Sequence, residues 1–256
     1  MQRPLACVLA TALLAGCGSE PEPAPPPPPP AWVLEADQDL VGPGGATRVD
    51  IEVDWFEQVP PDPLALEALR EVTARECVGK QVLIRRDTEL PAARWKSCRN
   101  DGIERALSEC RGRTAPEPGV AYVHILYCPV NPWGDAGASN GLCRRLEKPF
   151  PHWQIFVFKG TLKSRAFLSL TPDKLDRSCL VHEFGHALGL VANPAHRFED
   201  GGGHCTDTGC VMTKPKLKAV LDNAAKAIAT GEIPWDYCPK CREDLERGRR
   251  AFAAGR

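Results

Sequence analysis

His182-Glu183-Phe184-Gly185-His186-Ala187-Leu188-Gly189 is the stretch whose reading decides the fold. On a helix, residues four apart share a face, so the imidazoles of His182 and His186 can reach one metal ion. Glu183 stands beside them, placed to hold and deprotonate an attacking water; this HExxH spacing is a zinc-hydrolase pattern. The surrounding sequence supports a helix. Thr171-Pro172 supplies an N-cap and a proline at the first helical position, the helix would run to Leu188, and Gly189 is its stop.

Outward from this helix the chain reads as strands followed by helices. Val49-Asp50-Ile51-Glu52-Val53-Asp54 alternates apolar and acidic, as a half-exposed strand does. Asp62-Pro63 opens a helix whose apolar stripe is Leu64, Ala68, Leu69 and Val72. Ile103, Ala106, Leu107 and Cys110 mark a second, short helix. Residues 120–127 and 153–158 read as strands with a Pro/Gly/Asn-rich loop at 129–141 between them. Residues 215–230 and about 236–252 read as two C-terminal helices. The class expected is α+β, a mixed sheet with the HExxH helix and C-terminal helices behind it.

The segment HEFGHALG, residues 182–189, resembles the metzincin peptidases, whose pattern is HExxHxxGxxH. The position of their third histidine is Ala192 here, so the missing ligand lies further on. His204-Cys205-Thr206-Asp207-Thr208-Gly209-Cys210-Val211-Met212, followed by Cys238-Pro239-Lys240-Cys241, resembles the archaemetzincins, a metzincin branch with an HCx4CxM element and a later CxxC. The resemblance covers about residues 178–245. It departs in spacing: fourteen residues, 190–203, separate Gly189 from His204 where the family usually has two, and 25 separate Met212 from Cys238.

The resemblance implies a metzincin-like zincin in which His182, His186 and His204 bind a catalytic zinc, Glu183 is the general base, and Met212 forms a turn beneath the histidines. It also implies a second, structural zinc on Cys205, Cys210, Cys238 and Cys241; two disulfides among these four remain the alternative. His196 is the alternative third ligand, and Glu199 or Asp200 would be a carboxylate ligand. Cys179, three residues before His182, reads as a core or disulfide residue more readily than as a ligand. The strand at 153–158 is the expected edge for an extended peptide substrate, as in metzincins. Lys159, Tyr122, Tyr127 and Tyr237 are the candidate oxyanion donors.

The N-terminus reads as an export signal. Arg3 precedes a ten-residue apolar run at 5–14, too short to span a bilayer, which needs roughly 20 residues. It ends in Leu14-Ala15-Gly16-Cys17, which resembles the lipobox of bacterial lipoproteins. This implies cleavage of residues 1–16 and lipidation of Cys17, with Gly18 favouring the outer membrane. Residues 21–30 hold 8 of the 25 prolines, so 17–30 form an extended tether and 31–256 the zinc peptidase domain. Ten cysteines remain beyond Cys7 and Cys17, in a compartment that permits disulfides. Cys77, Cys98, Cys110, Cys128, Cys143 and Cys179 are therefore expected to pair.

Composition excludes several classes. With 43% hydrophobic residues the chain can bury a core, and 32 basic against 33 acidic residues leave no field for nucleic acid. The function expected is a lipid-anchored envelope peptidase acting on peptides or proteins. A catalytically silent, zinc-stabilised envelope binding module is the alternative, against which the intact Glu183 argues. Thiol transfer through Cys238 and Cys241 is weaker still, because no thioredoxin-like βαβ unit surrounds them.

Overall fold

The computed structural model describes residues 37–95, 102–131, 140–166, 169–199, 203–214 and 217–255. The expected signal segment, Cys17 and the proline tether lie outside them, as do Cys98 and Asp200. In chain order the elements are α1 (Gln38–Val41), β1 (Arg48–Phe56), α2 (Pro63–Glu76), β2 (Gln81–Leu90), α3 (Ala92–Trp95), α4 (Gly102–Cys110), β3 (Val120–Cys128), β4 (Gly141–Leu146) and β5 (His152–Phe158). Four helices follow: α5 (Lys159–Arg165), α6 (Pro172–Ala187), α7 (Leu217–Thr230) and α8 (Pro239–Ala253).

The five strands form one mixed sheet in the order β2-β1-β3-β5-β4. β1 pairs in parallel with β2 and β3, β3 in parallel with β5, and β4 is antiparallel to β5. The fold is mixed α/β, with α2 and α4 interleaved among the strands because parallel neighbours need crossover connections. Strands β2 and β4 are edge strands absent from the sequence reading. β5, expected at an edge, is an inner strand between β3 and β4, so the edge nearest the HExxH helix is β4.

β1 departs from its sequence reading in a second way. Its alternation was the mark of a half-exposed strand, yet Asp50, Glu52 and Asp54 are 1%, 1% and 0% exposed. Both faces are buried. Val49, Ile51 and Val53 join the hydrophobic core, while the acidic set enters a polar network on the opposite face.

The core side of the sheet carries α2 and α6, which pack on one another. Asp62 caps α2 by accepting from the Leu64 amide at 2.8 Å, and Pro63 fills the first turn. A buried ion pair fastens this layer: Lys159 Nζ lies 3.0 Å from Asp176 Oδ2, which also accepts from the Asp62 amide at 3.1 Å. Lys159 therefore serves the packing of α5 on α6. Burial raises the Asp176 carboxyl above its ordinary range, opposed by the Lys159 charge.

Lys159→Met leaves a carboxylate buried without its cation. It is expected to cost about 3–5 kcal/mol of stability, read by denaturant unfolding, and Lys159→Met/Asp176→Asn should recover much of that loss. Equal stability of Lys159→Met and wild type would remove this pair from the framework.

Candidate metal centre

α6 carries residues 182–186 in its last turns, so His182, Glu183 and His186 leave one helix as the sequence spacing requires. The helix ends in a Schellman motif. The Leu190 amide donates to Gly185 O at 3.0 Å and the Gly189 amide to His186 O at 3.0 Å, with Gly189 at φ +78°. Val191, buried, follows at φ +64°, a strained value for a β-branched residue. The chain thus turns sharply away from the helix before the long loop.

His182 and His186 approach each other through their Nε2 atoms at 3.3 Å. Two nitrogens on one tetrahedral zinc at ~2.0–2.1 Å stand about 3.3 Å apart. His182 Nδ1–H donates to Val211 O at 2.8 Å, which fixes the tautomer and leaves Nε2 as the ligating atom. His204 closes the set: the three imidazoles offer nitrogens all within 4.8 Å of one another. Burial holds the His182 imidazole down at about 4. Burial first, then the neighbouring His182 and His204, hold His186 at about 3. Both rings are neutral at pH 7, with lone pairs free to receive a cation.

Glu183 does not join this set. Its carboxyl lies against Gly141 at the start of β4, where an added Cβ would meet Cγ at 2.6 Å and Oε1 at 2.7 Å. Burial pushes that carboxyl up to about 8. Gly141 is a site residue that the sequence reading missed, since a glycine closing a Pro/Gly/Asn-rich loop gives no such signal. Asn140 fixes it from the other side, its carbonyl accepting from the Phe158 amide at 2.8 Å and its side chain from Arg165 at 2.7 Å.

Met212 lies fully buried beneath α6, where a Cβ at Gly185 would come 2.3 Å from Met212 Sδ. Gly185 is thus the opening in the helix surface that admits the methionine. Tyr237 packs at the same point and donates its hydroxyl to Val181 O at 2.9 Å.

The four late cysteines converge in the same region. Their sulfurs all lie within 4.8 Å of one another, with Cys205–Cys238 at 3.8 Å and Cys210–Cys241 at 3.7 Å. A disulfide needs ~2.05 Å, whereas sulfurs on one tetrahedral zinc at ~2.3 Å stand about 3.8 Å apart. All four are free thiols, and the donor set fits zinc. The Cys205 thiol is pulled down by hydrogen bonds from Cys210 and Cys241. Backbone amides support the cluster, Asp207 N donating to Cys205 Sγ at 3.4 Å and Cys238 N to Cys210 Sγ at 3.3 Å.

His196 belongs to this second cluster. Its Nδ1 lies 3.5 Å from Cys205 Sγ and its Nε2 2.6 Å from Asp244 Oδ2 on α8. Burial works to lower its pKa, but the bonds with Asp244 and Cys205 prevail and raise it. Asp244 also accepts from Asn193 Nδ2 at 2.9 Å, so one carboxylate anchors the long loop at two points.

Other expectations are corrected. Tyr122 donates to Glu52 on the far face at 2.8 Å, Tyr127 lies in the core with Lys159 Nζ over its ring at 5.7 Å, and Lys159 and Tyr237 are engaged as described. All four are thus engaged with other partners, Tyr237 while packing against Gly185 between His182 and His186. Cys179 is a core residue, as its reading allowed, whereas Glu199, the carboxylate alternative, is exposed and outside the histidine set. Cys77, Cys110, Cys128, Cys143 and Cys179 are free thiols, so no disulfide forms among these five. Burial pushes the Cys143 and Cys179 thiols well up, which keeps them protonated.

His204→Ala is expected to abolish metal binding at the histidine pair, while His196→Ala retains it and weakens binding at the cysteines by tenfold or more. Metal titration of each variant checks this. The opposite pattern would exchange the two roles.

No protein-family model matches this sequence, and no curated protein matches it. Among solved structures, archaemetzincin from Methanopyrus kandleri is similar to this chain at 20% sequence identity, with 82% of this chain and 99% of that chain covered and a TM-score of 0.43.

Proposed function

We propose that this chain is a metzincin-type zinc peptidase, archaemetzincin-like in its ligand set. The observation that carries the reading is the approach of three imidazoles, with the Nε2 atoms of His182 and His186 at 3.3 Å, and on the same helix the buried Glu183 carboxyl, which is not one of the set. A binding module has no use for that carboxylate; a hydrolase does.

His182, His186 and His204 would hold the catalytic zinc, and Cys205, Cys210, Cys238 and Cys241 a structural one. Bound zinc would polarise a peptide carbonyl as a Lewis acid and favour water as the nucleophile. Burial keeps the Glu183 carboxyl protonated up to about 8; in its ionised form it would take the proton from the attacking water and pass it to the leaving amine. Gly141 keeps that carboxylate in place by offering no side chain at the point of contact. The His182 bond to Val211 O orients the imidazole, and Met212 supports α6 from beneath.

Substrate recognition follows from the sheet edge. β4 pairs with β5 on one side and, among the described residues, with no strand on the other. An extended peptide adding to that side would run past Gly141, and so past Glu183. The N-terminal features complete the reading: export, lipidation at Cys17 and a proline tether would hold the peptidase at the bacterial envelope, with peptides or proteins as substrates. This part rests on the sequence of residues 1–30.

Glu183→Ala should keep the zinc at the histidines and the zinc at the cysteines and lose peptide hydrolysis by at least a hundredfold, because the carboxylate is base rather than ligand. Gly141→Ala should also keep both ions and lower kcat more than KM, since it displaces the base. Digestion of a broad peptide library with mass-spectrometric readout checks both. Wild-type protein that binds zinc at the histidines yet cleaves nothing would favour the binding-module reading.

A further inference from the structure

The sheet face turned away from α2 and α6 carries a third set of metal-type donors. Along β1 the carboxylates are not treated alike. Asp50 is neutralised by Arg48 Nε at 2.7 Å and Arg113 Nη2 at 2.7 Å. Glu52 receives only the Tyr122 hydroxyl at 2.8 Å and the Gly112 amide at 2.5 Å. Asp54 receives the Thr88 amide at 2.8 Å and His124 at 2.7 Å. Oxygens of Glu52, Asp54 and Asp87 all lie within 4.8 Å of one another, and no lysine or arginine among the described residues pairs with any of the three. Asp87 is exposed, but Glu52 and Asp54 are 1% and 0% exposed, and two buried carboxylates this close call for a cation.

His124 and Cys110 supply softer donors at the same point. Asp54, Cys110 and His124 are 0%, 3% and 0% exposed, and their donor atoms also fall within 4.8 Å of one another. The amide of Gln154 donates to Ile155 O at 3.2 Å, which turns its carbonyl oxygen toward His124 Nδ1 at 2.8 Å. Nδ1 therefore carries a hydrogen and donates it. Nε2 is then aimed at Asp54 Oδ2, 2.7 Å away, and two acceptors at that separation need a positive charge between them. A proton serves in the described structure. An imidazole oriented through its other nitrogen, facing a carboxylate and a thiol, is the ordinary arrangement of a metal ligand.

We infer that Asp54, Cys110 and His124, with Glu52 adjacent, form a further binding site for a borderline-soft divalent transition ion of the zinc type. Nitrogen, sulfur and oxygen donors together select such an ion over magnesium or calcium. On binding, the ion replaces the proton between His124 Nε2 and Asp54 Oδ2 and displaces the Cys110 thiol proton; both protons pass to solvent and no electrons move. The donors come from β1, β3 and the last residue of α4, so a bound ion ties α4 to two inner strands. With all donors buried, the site is structural.

The test uses the full chain with zinc in slight excess. Crystals are examined by anomalous diffraction at the zinc edge, and zinc per chain is counted for wild type, Cys110→Ser and Cys241→Ser. A peak among Asp54, Cys110 and His124, with Cys110→Ser losing one ion per chain, is the expected result. No peak there, whether or not the histidine and cysteine clusters are filled, overturns the inference. The wild-type map decides even if Cys110→Ser does not fold, and empty histidine and cysteine clusters would count against the peptidase reading alone.

Discussion

One peptide unit joins the two metal-type clusters: His204, which completes the imidazole set, is followed directly by Cys205, which belongs to the sulfur set. The sulfur cluster thereby determines where the third imidazole stands. The loop between Gly189 and His204 is long, but extra length adds little to the entropy of closure, about 0.6 kcal/mol per doubling. Its ends are fastened. Phe198 N donates to His204 O at 2.9 Å and Thr206 N to His196 O at 2.9 Å, a short antiparallel pairing that presents His204 to α6. Cys205 N donates to Met212 O at 2.8 Å, which brings the methionine under the helix in the same motion. Gly203, at φ +64°, packs over the His186 ring where the chain enters the site.

The same economy appears on α6 itself. Small residues mark where another group must approach closely: Gly185 admits Met212, and Gly141 on the facing strand admits the Glu183 carboxyl. Glu183 is separated from bulk water by its own burial, which raises its proton affinity, while His182 and His186 are kept neutral by theirs. One buried environment thus gives opposite outcomes for acid and base, because it disfavours charge on either.

Much of this was legible in the sequence because the signals were local. The span of α6 and its stop at Gly189 follow from Thr171-Pro172, the i, i+4 histidines and a glycine able to take positive φ. The Asp62 cap of α2 is equally local. What depended on tertiary context was not legible. β2 is an exposed parallel edge rich in Arg, Asp and Glu, and β4 is six residues with two arginines, so neither shows an apolar alternation. The acidic alternation of β1 indicated a solvent face because burial of three carboxylates requires partners distant in sequence, namely Arg113, Tyr122 and His124. Even cysteine number misled, since separations in space and not counts decide pairing.

The central claim is that the sulfur cluster builds the histidine site by holding His204 in place. The direct measurement is the affinity of the histidine site for Co2+, followed by its visible absorption, in wild type preloaded with one equivalent of zinc and in Cys241→Ser treated alike. The account predicts affinity at least tenfold weaker in the variant, although no histidine has been altered. Equal affinity in the two proteins would contradict it.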